Sequence, residues 1–343
     1  MKNHQSRDEH YDTAKSFLVI AMIVRHVFDN LYQPGYNPNY SIFVLIGFVF
    51  LAGVTVSAVN YQRIVHSRPE TIRRLLKRSL KLLFIFGLCN LTILSVFKNR
   101  AEYVLNLNPW ELMWAILLGT HKHVFGFDVL VPIAVTIGLS LVIMAYGRTV
   151  RFYAALAVLS LTTLFIFQSY RILDYYGIML VLVGIFGCCT GSIAVLFEEN
   201  AFLKQRLSAS RLLYGLVLGV MFYLLYLVSL SKSLPVRFYI HVIPTAVLLF
   251  AVYMLSYSLS LNKMTVFRVF NQTLARYMLF AYLFHIFVNT FFIRILGKQH
   301  LNVVNSMLMA MALLLITMAA CKVVDLFTSK SIILKRTYSL VFK

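Results

Sequence analysis

The stretch YYGIMLVLVGIFGCCTGSIAVLF, residues 175–197, contains no charged side chain. An α-helix rises about 1.5 Å per residue, so roughly 20 apolar residues cross a hydrocarbon core about 30 Å thick. Similar blocks recur along the 343-residue chain, which is 60% hydrophobic and only 13% charged. A soluble protein needs more polar surface than this composition supplies. The sequence therefore predicts an all-α, multi-span integral membrane helical bundle.

The apolar blocks predict about ten transmembrane helices, which form one domain over residues 1–343. They lie near residues 13–32, 41–60, 80–97, 125–146, 152–168, 175–197, 212–230, 239–261, 274–296 and 303–327. The segment 109–120 is too short to span comfortably. It could be an eleventh helix, a re-entrant piece or an interfacial helix.

The charge of the chain indicates its orientation. There are 32 Lys and Arg against 12 Asp and Glu, which gives a formal net charge of +20. In a soluble protein this excess would suggest nucleic acid, but in membrane proteins Lys and Arg concentrate in cytoplasmic loops. With ten spans and both termini cytoplasmic, most of the Lys and Arg fall on cytoplasmic segments. We therefore expect a multi-pass protein of the cytoplasmic (inner) membrane without a nucleic-acid partner.

The first predicted span carries several ionisable side chains. Each charge at membrane depth costs at least about 2.5 kcal/mol, so each is a candidate for function or for a buried pair. Lys15 and His26 are about 20° from one helix face and roughly 16 Å apart along the axis. Arg25 and Asp29 are spaced for an ion pair, although Asp29 could instead orient His26. A histidine inside a bundle can also be purely structural.

A basic run, ETIRRLLKRSLKLL at residues 70–83, follows the second span. Arg74 and Arg78 share one helix face, and Arg73 and Lys77 share another. These charges could simply orient the chain in the membrane. Two guanidinium groups side by side could also bind a phosphorylated cofactor in a bidentate manner.

Aromatic and histidine side chains gather near the predicted outer ends of the helices. The segment THKHVFGFDVLVPI, residues 120–133, contains His121, His123 and Asp128, and this H-x-H spacing followed by an aspartate could bind a metal. No further ligands converge on it, so we expect substrate contacts or interface residues and no metal. Trp110 and Trp114 share a helix face and suit either an interfacial aromatic belt or a platform that stacks on a sugar.

The sequence resembles the acyltransferase-3 family of the transmembrane acyltransferase superfamily. That family has a basic residue, ten intervening residues and a histidine in its first span, matched by Lys15 and His26 in YDTAKSFLVIAMIVRHV. Its Phe-rich stretch ending in small residues is similar to FVFLAGVTVS, residues 48–57. Its Arg-x-x-x-Arg motif is matched by Arg74 and Arg78.

A late family pattern, Ser-Tyr-x-x-Tyr-x-x-His, is approximated by ARYMLFAYLFH in the ninth span, with Tyr282 and His285 aligned. The similarity runs from about residue 10 to 295, in the family's ten-helix layout. It implies transfer of an acyl group, usually acetyl, from cytoplasmic acyl-CoA to a hydroxyl of a glycan or lipid-linked saccharide.

A mechanism compatible with this resemblance places the CoA phosphates on the basic run and the thioester near His26. The histidine would then act as general base or as transient acyl carrier. The candidate catalytic residues are His26, Asp29 and Asp128; the candidate residues for the acetyl-CoA donor are Lys15, Arg74, Arg78, Arg73 and Lys77; those for the acceptor are His285, Tyr282, Trp114 and His123.

Two other functions fit the same residues. A proton-coupled secondary transporter or flippase would use the buried His and Asp side chains to relay protons or bind substrate. A non-catalytic membrane scaffold would pair every charge structurally. Inverted repeats would favour the transporter, and we find none in the sequence.

Overall fold

The computed structural model describes residues 9–31, 42–66, 68–96, 108, 110–111, 129–169, 176–198, 242, 245–252, 265–296, 301–334, 336 and 338. Its helices are α1 (Glu9–Leu31), α2 (Ile42–His66), α3 (Arg68–Val96), α4 (Leu130–Tyr146), α5 (Val150–Ser169), α6 (Tyr176–Glu198), α7 (Thr265–Arg276), α8 (Met278–Leu296) and α9 (Val303–Lys330). The all-helical prediction is confirmed for the described part of the chain.

Four of the described helices are long and apolar enough to cross a membrane. Their spanning stretches are Val44–Ile64, Val150–Phe167, Gly177–Leu196 and Val303–Lys330. A fifth candidate is the bent pair Arg268–Arg276 and Met278–Phe292. These findings support a membrane protein. The expectation of about ten spans with cytoplasmic termini stays a prediction.

The ninth predicted span, 274–296, differs from the structure at its start. The chain bends by 81° between α7 and α8, so the apolar helix begins at Met278. Apolar and polar residues alternate at helical spacing in TVFRVFNQTLAR, which makes α7 amphipathic. A hydropathy profile treats the end of α7 and the start of α8 as one apolar block, because it records composition and not the direction of the helix axis.

Other predicted segments fall largely outside the described residues. This is the case for 212–230, and for 239–261 apart from residue 242 and the helical residues 245–252. Of the 109–120 segment only residues 110 and 111 are described. The backbone N–H of the preceding Asn108 donates to Glu111 Oε2, and that of Glu111 donates to Asn108 Oδ1. Such a reciprocal cap marks the start of a helix.

The described helices belong to two compact units. The first comprises Met1–Val44, Ser210–Met221 and Val247–Lys343, and so contains α1, α7, α8 and α9. The second comprises Leu45–Ala209 and Phe222–Ala246, and contains α3 to α6 and nearly all of α2.

In the second unit, glycines let α2 and α6 approach closely. A Cβ on Gly53 would collide with the backbone of Gly184 and Cys188, and a Cβ on Gly187 would collide with the Phe50 carbonyl oxygen. Membrane helices associate through such small residues because lipid offers no hydrophobic drive between them. The small-residue end of FVFLAGVTVS is therefore a helix-packing surface.

In the first unit, α1 packs against α7, α8 and α9. Its apolar face is fully buried, with Leu18, Val19 and Met22 at 0% exposure. A polar contact joins α1 to α7: Asn271 Nδ2 donates to Thr13 Oγ1 at 3.2 Å, and Ser16 Oγ donates to the Asn271 carbonyl at 3.1 Å. This packing holds the His26 face of α1 against α8.

Candidate active site

Two histidines from helices distant in sequence lie together inside the first unit. His26 on α1 and His285 on α8 have ring centroids 5.3 Å apart, with an angle of 44° between the rings. His285 has 0% exposure, whereas His26 is half-buried. The structure thus brings together a predicted catalytic residue and a predicted acceptor residue, and we call them the histidine pair.

The hydrogen bonding of His285 defines its tautomer. Its Nδ1 lies 2.8 Å from the Ala281 carbonyl oxygen, one helical turn earlier. A carbonyl only accepts, so Nδ1 carries the hydrogen, and in the neutral ring Nε2 holds the lone pair. This Nε2 is buried and has no partner among the described residues. An imidazole held in this way can accept a proton from a ligand.

Asn289 lies one turn beyond His285 on α8 and also faces α1. Its Nδ2 donates to the His26 backbone carbonyl at 3.3 Å. That contact identifies which amide atom is the nitrogen, since a carbonyl cannot donate. The other amide atom, Oδ1, is buried without a partner among the described residues.

Tyr282 also lies beside the pair. Its ring is 5.9 Å from that of His285 in an edge-on arrangement, and only 5% of the residue is exposed. Tyr282 and His285 are three residues apart on α8, so both point to the same side of the helix. The Tyr-x-x-His spacing noted in the sequence therefore builds one wall of this site.

Lys15 lies on the same unbroken helix as His26, as the sequence predicts. Its Nζ is 3.4 Å from Asp12 Oδ1, and the Asp12 side chain is only 2% exposed. The cation is therefore paired with a nearly buried carboxylate of its own helix. About 16 Å of helix separates Lys15 from His26.

The basic run of the second unit lies on the first turns of α3 and packs on α2. Arg74 Nη2 donates to Asn60 Oδ1 at 2.8 Å, and Asn60 Nδ2 in turn donates to the Val56 carbonyl at 2.7 Å. The Thr71 hydroxyl donates to the Arg63 carbonyl at 3.4 Å. These bonds hold the start of α3 against the end of α2.

Four cations of that run are exposed: Arg73, Arg74, Lys77 and Arg78. Partial burial lowers the pKa of the Arg74 guanidinium from its ordinary value, and the nearby Arg63 lowers this pKa further. An arginine begins with a pKa above about 12, so Arg74 stays charged at neutral pH. The result is a concentrated positive surface, and a bound anionic group would reduce the repulsion between its charges. We call these four residues the basic cluster.

A third polar cluster lies where α7 meets α8. Arg276 Nη1 is 3.0 Å from Asp325 Oδ1 on α9, and the Tyr277 hydroxyl donates to the same oxygen at 2.6 Å. Tyr277 also lies 3.3 Å from the Thr328 hydroxyl. Tyr277 is the residue at which the chain bends, so these contacts fix the bend to α9.

Several predicted site residues lie outside the described part of the chain. They are Trp114, His123, Asp128 and the side chain of Asp29. Sequence reasoning also missed residues that the structure places at the sites, namely Asn60, Asn271 and Asn289. Only spacing could have pointed to Asn289, because it follows His285 by one helical turn.

One comparison with known proteins identifies the family. A family model described as an acyltransferase domain matches residues 9–325, from the first residue of α1 to the carboxylate that holds the bend. No curated protein and no solved structure matches the chain. Since the family match covers almost the whole sequence and runs through both units, the chain belongs to the acyltransferase-3 family and is a membrane acyltransferase.

Proposed function

We propose that this protein transfers an acetyl group from cytoplasmic acetyl-CoA to a hydroxyl of a glycan or lipid-linked saccharide, at the cytoplasmic (inner) membrane. The observation that carries the proposal is the histidine pair, in which His285 Nε2 is buried, holds a lone pair and has no partner in the part of the chain that the structure describes. A buried imidazole in that state suits the removal of a proton from a hydroxyl. The family supplies acyl transfer as the reaction class.

The geometry favours His285 as the base. Its Nε2 takes the proton of the acceptor hydroxyl while the hydroxyl oxygen attacks the thioester carbonyl carbon. The C–S bond breaks, and the leaving CoA thiolate takes the proton back from the imidazolium. The products are an O-acetyl ester and free CoA. Because Nδ1 is already bonded to Ala281, the ring need not reorient during the reaction.

His26 has a different proposed part in this reaction. Its ring contacts that of His285, and its backbone carbonyl is bonded by Asn289. A ring N–H from His26 would stabilise the negative charge that develops on the thioester oxygen. Removing one such donor typically costs 10²–10³-fold in rate.

The basic cluster is the proposed site for the phosphates of CoA. Arginine binds phosphate through two parallel N–H bonds, and Arg74 and Arg78 lie one turn apart on α3. Asn60 holds one nitrogen of Arg74, which limits the number of positions the guanidinium can take. Arg73 and Lys77 add charge to the cluster, and Lys15 remains a candidate for the donor.

The function is tested with membranes from cells that produce the wild type or His26→Ala, supplied with acetyl-CoA labelled in the acetyl group. We expect label in alkali-labile esters of the glycan fraction, at least about 100-fold less with His26→Ala. The matched control is His66→Ala, at the end of α2, which should label like the wild type. No labelled ester with the wild type would reject the proposed reaction, and undiminished labelling with His26→Ala would remove His26 from the chemistry.

A further inference from the structure

Two buried acceptor atoms on one face of α8 have no partner among the described residues. They are His285 Nε2 and Asn289 Oδ1. His285 is 0% exposed and Asn289 is 3% exposed. An unsatisfied buried polar atom is costly, and native proteins rarely keep one without a reason. Here two occur one helical turn apart.

The two side chains that carry these atoms contact the same residue of α1. The His285 ring contacts the His26 ring, and Asn289 Nδ2 is bonded to the His26 carbonyl. Residues at i and i+4 have Cβ atoms about 5–6 Å apart, so a single small ligand can reach both. The contact of Nδ2 with the His26 carbonyl fixes the orientation of the amide, so Oδ1 is the atom that has no partner within the described ranges.

The chemistry of the two atoms restricts the ligand. A neutral imidazole Nε2 and an amide oxygen both accept hydrogen bonds and donate none. The fitting ligand therefore presents two donors side by side. A hydroxyl to be acylated supplies one. A neighbouring hydroxyl or amide N–H of the same sugar supplies the other.

We propose that Asn289 is a specificity-determining residue that accepts a hydrogen bond from a second donor group of the acceptor sugar, next to the hydroxyl that faces His285 Nε2. The inference rests on the proposed function, because it names what the acceptor must carry. The pantetheine arm of CoA also contains amide N–H groups, so the test separates the two substrates.

The test measures steady-state transfer of labelled acetyl by the full chain in nanodiscs, with the envelope glycan fraction as acceptor. KM is measured separately for glycan and for acetyl-CoA. Asn289→Leu removes the acceptor oxygen at similar volume. We expect its KM for the glycan to rise about tenfold, while the KM for acetyl-CoA and kcat change less than threefold. Asn289→Ala serves as a second variant if the Leu variant does not fold.

Asn289→Leu also removes the amide donor to the His26 carbonyl. Loss of that support would lower kcat, whereas loss of acceptor recognition raises the KM for the glycan. The matched control is Thr290→Val, since the Thr290 hydroxyl donates to the Ile286 carbonyl of its own helix. This variant should keep all three constants.

Other results would overturn the inference, or the inference together with the proposed function. If Asn289→Leu raises the KM for acetyl-CoA and not that for the glycan, Asn289 contacts the pantetheine arm of CoA and the inference is overturned. Unchanged constants with stably folded Asn289→Leu, or a fall in kcat with an unchanged KM for the glycan, would also overturn it. In all these cases the wild type still transfers acetyl, so the proposed function stands. Absence of transfer by the wild type would reject the proposed function and the inference together.

Discussion

Asn271 joins two helices of the first unit that are far apart in the sequence. Its side-chain amide and its backbone carbonyl both bond to α1, at Thr13 and Ser16. All three residues are buried. A net hydrogen bond contributes about 1 kcal/mol, but a buried group left unpaired costs about 1–3 kcal/mol.

We expect Asn271→Leu to destabilise the protein by about 1–2 kcal/mol, because it removes a buried hydrogen bond between α7 and α1. Thermal unfolding in detergent, followed by size-exclusion fluorescence, measures the change. Asn305→Leu, at an exposed position of α9, is the control and should unfold near the wild-type temperature. Equal unfolding temperatures for both variants would show that the contact contributes nothing.

The candidate site could be predicted from the sequence only in part. His26 and His285 stand out because ionisable residues are rare inside apolar blocks. Asn289 does not stand out, since a single asparagine near the end of a helix has many ordinary roles. Its role depends on which face of α8 packs against α1. That orientation comes from contacts between residues more than 250 positions apart.

The close approach of α2 and α6 depends on glycines, which have no side chain. Gly187 contacts the Phe50 carbonyl so closely that even a methyl group has no room. Gly87 on α3 is different, because a Cβ there would meet nothing within 4 Å. These two glycines are therefore a matched pair within one unit.

Gly187→Ala should force α2 and α6 apart and lower the yield and thermal stability of the purified protein. Gly87→Ala should keep or slightly raise stability, because alanine favours a helix by about 1 kcal/mol over glycine. Thermal unfolding of the two variants side by side measures the difference. Equal stability of both would contradict the close approach of the helices.

Helix bounds were predictable where composition changes sharply, as at Tyr146 and Val150, where a short polar turn separates α4 from α5. The bend at Tyr277 was not. It is held by Asp325 on α9, and no local sequence signal reveals a partner 48 residues away. The third predicted span, from residue 80, covers only the apolar part of α3, which begins at Arg68; the helical spacing of the basic run already indicated that the helix extends into charged sequence.

At the scale of the whole molecule, the positive charge has a proposed function beyond orientation. Arg74→Ala with Arg78→Ala should abolish or strongly weaken acetyl-CoA binding, because it removes both guanidinium groups from one face of α3. Isothermal titration in nanodiscs measures the heats. The matched control is Arg148→Ala with Arg151→Ala, which removes two exposed arginines of the same unit. Equal affinities for the two double variants would reject the basic cluster as the donor site.

In the proposed reaction, the buried imidazole of His285 removes the proton from the acceptor hydroxyl. His285→Gln keeps most of the side-chain volume but cannot take up a proton. Transfer of labelled acetyl and titration with acetyl-CoA are both measured on the same nanodisc sample of this variant. We predict that transfer falls at least about 100-fold while acetyl-CoA binds with unchanged affinity. Transfer at the wild-type rate by His285→Gln would contradict it.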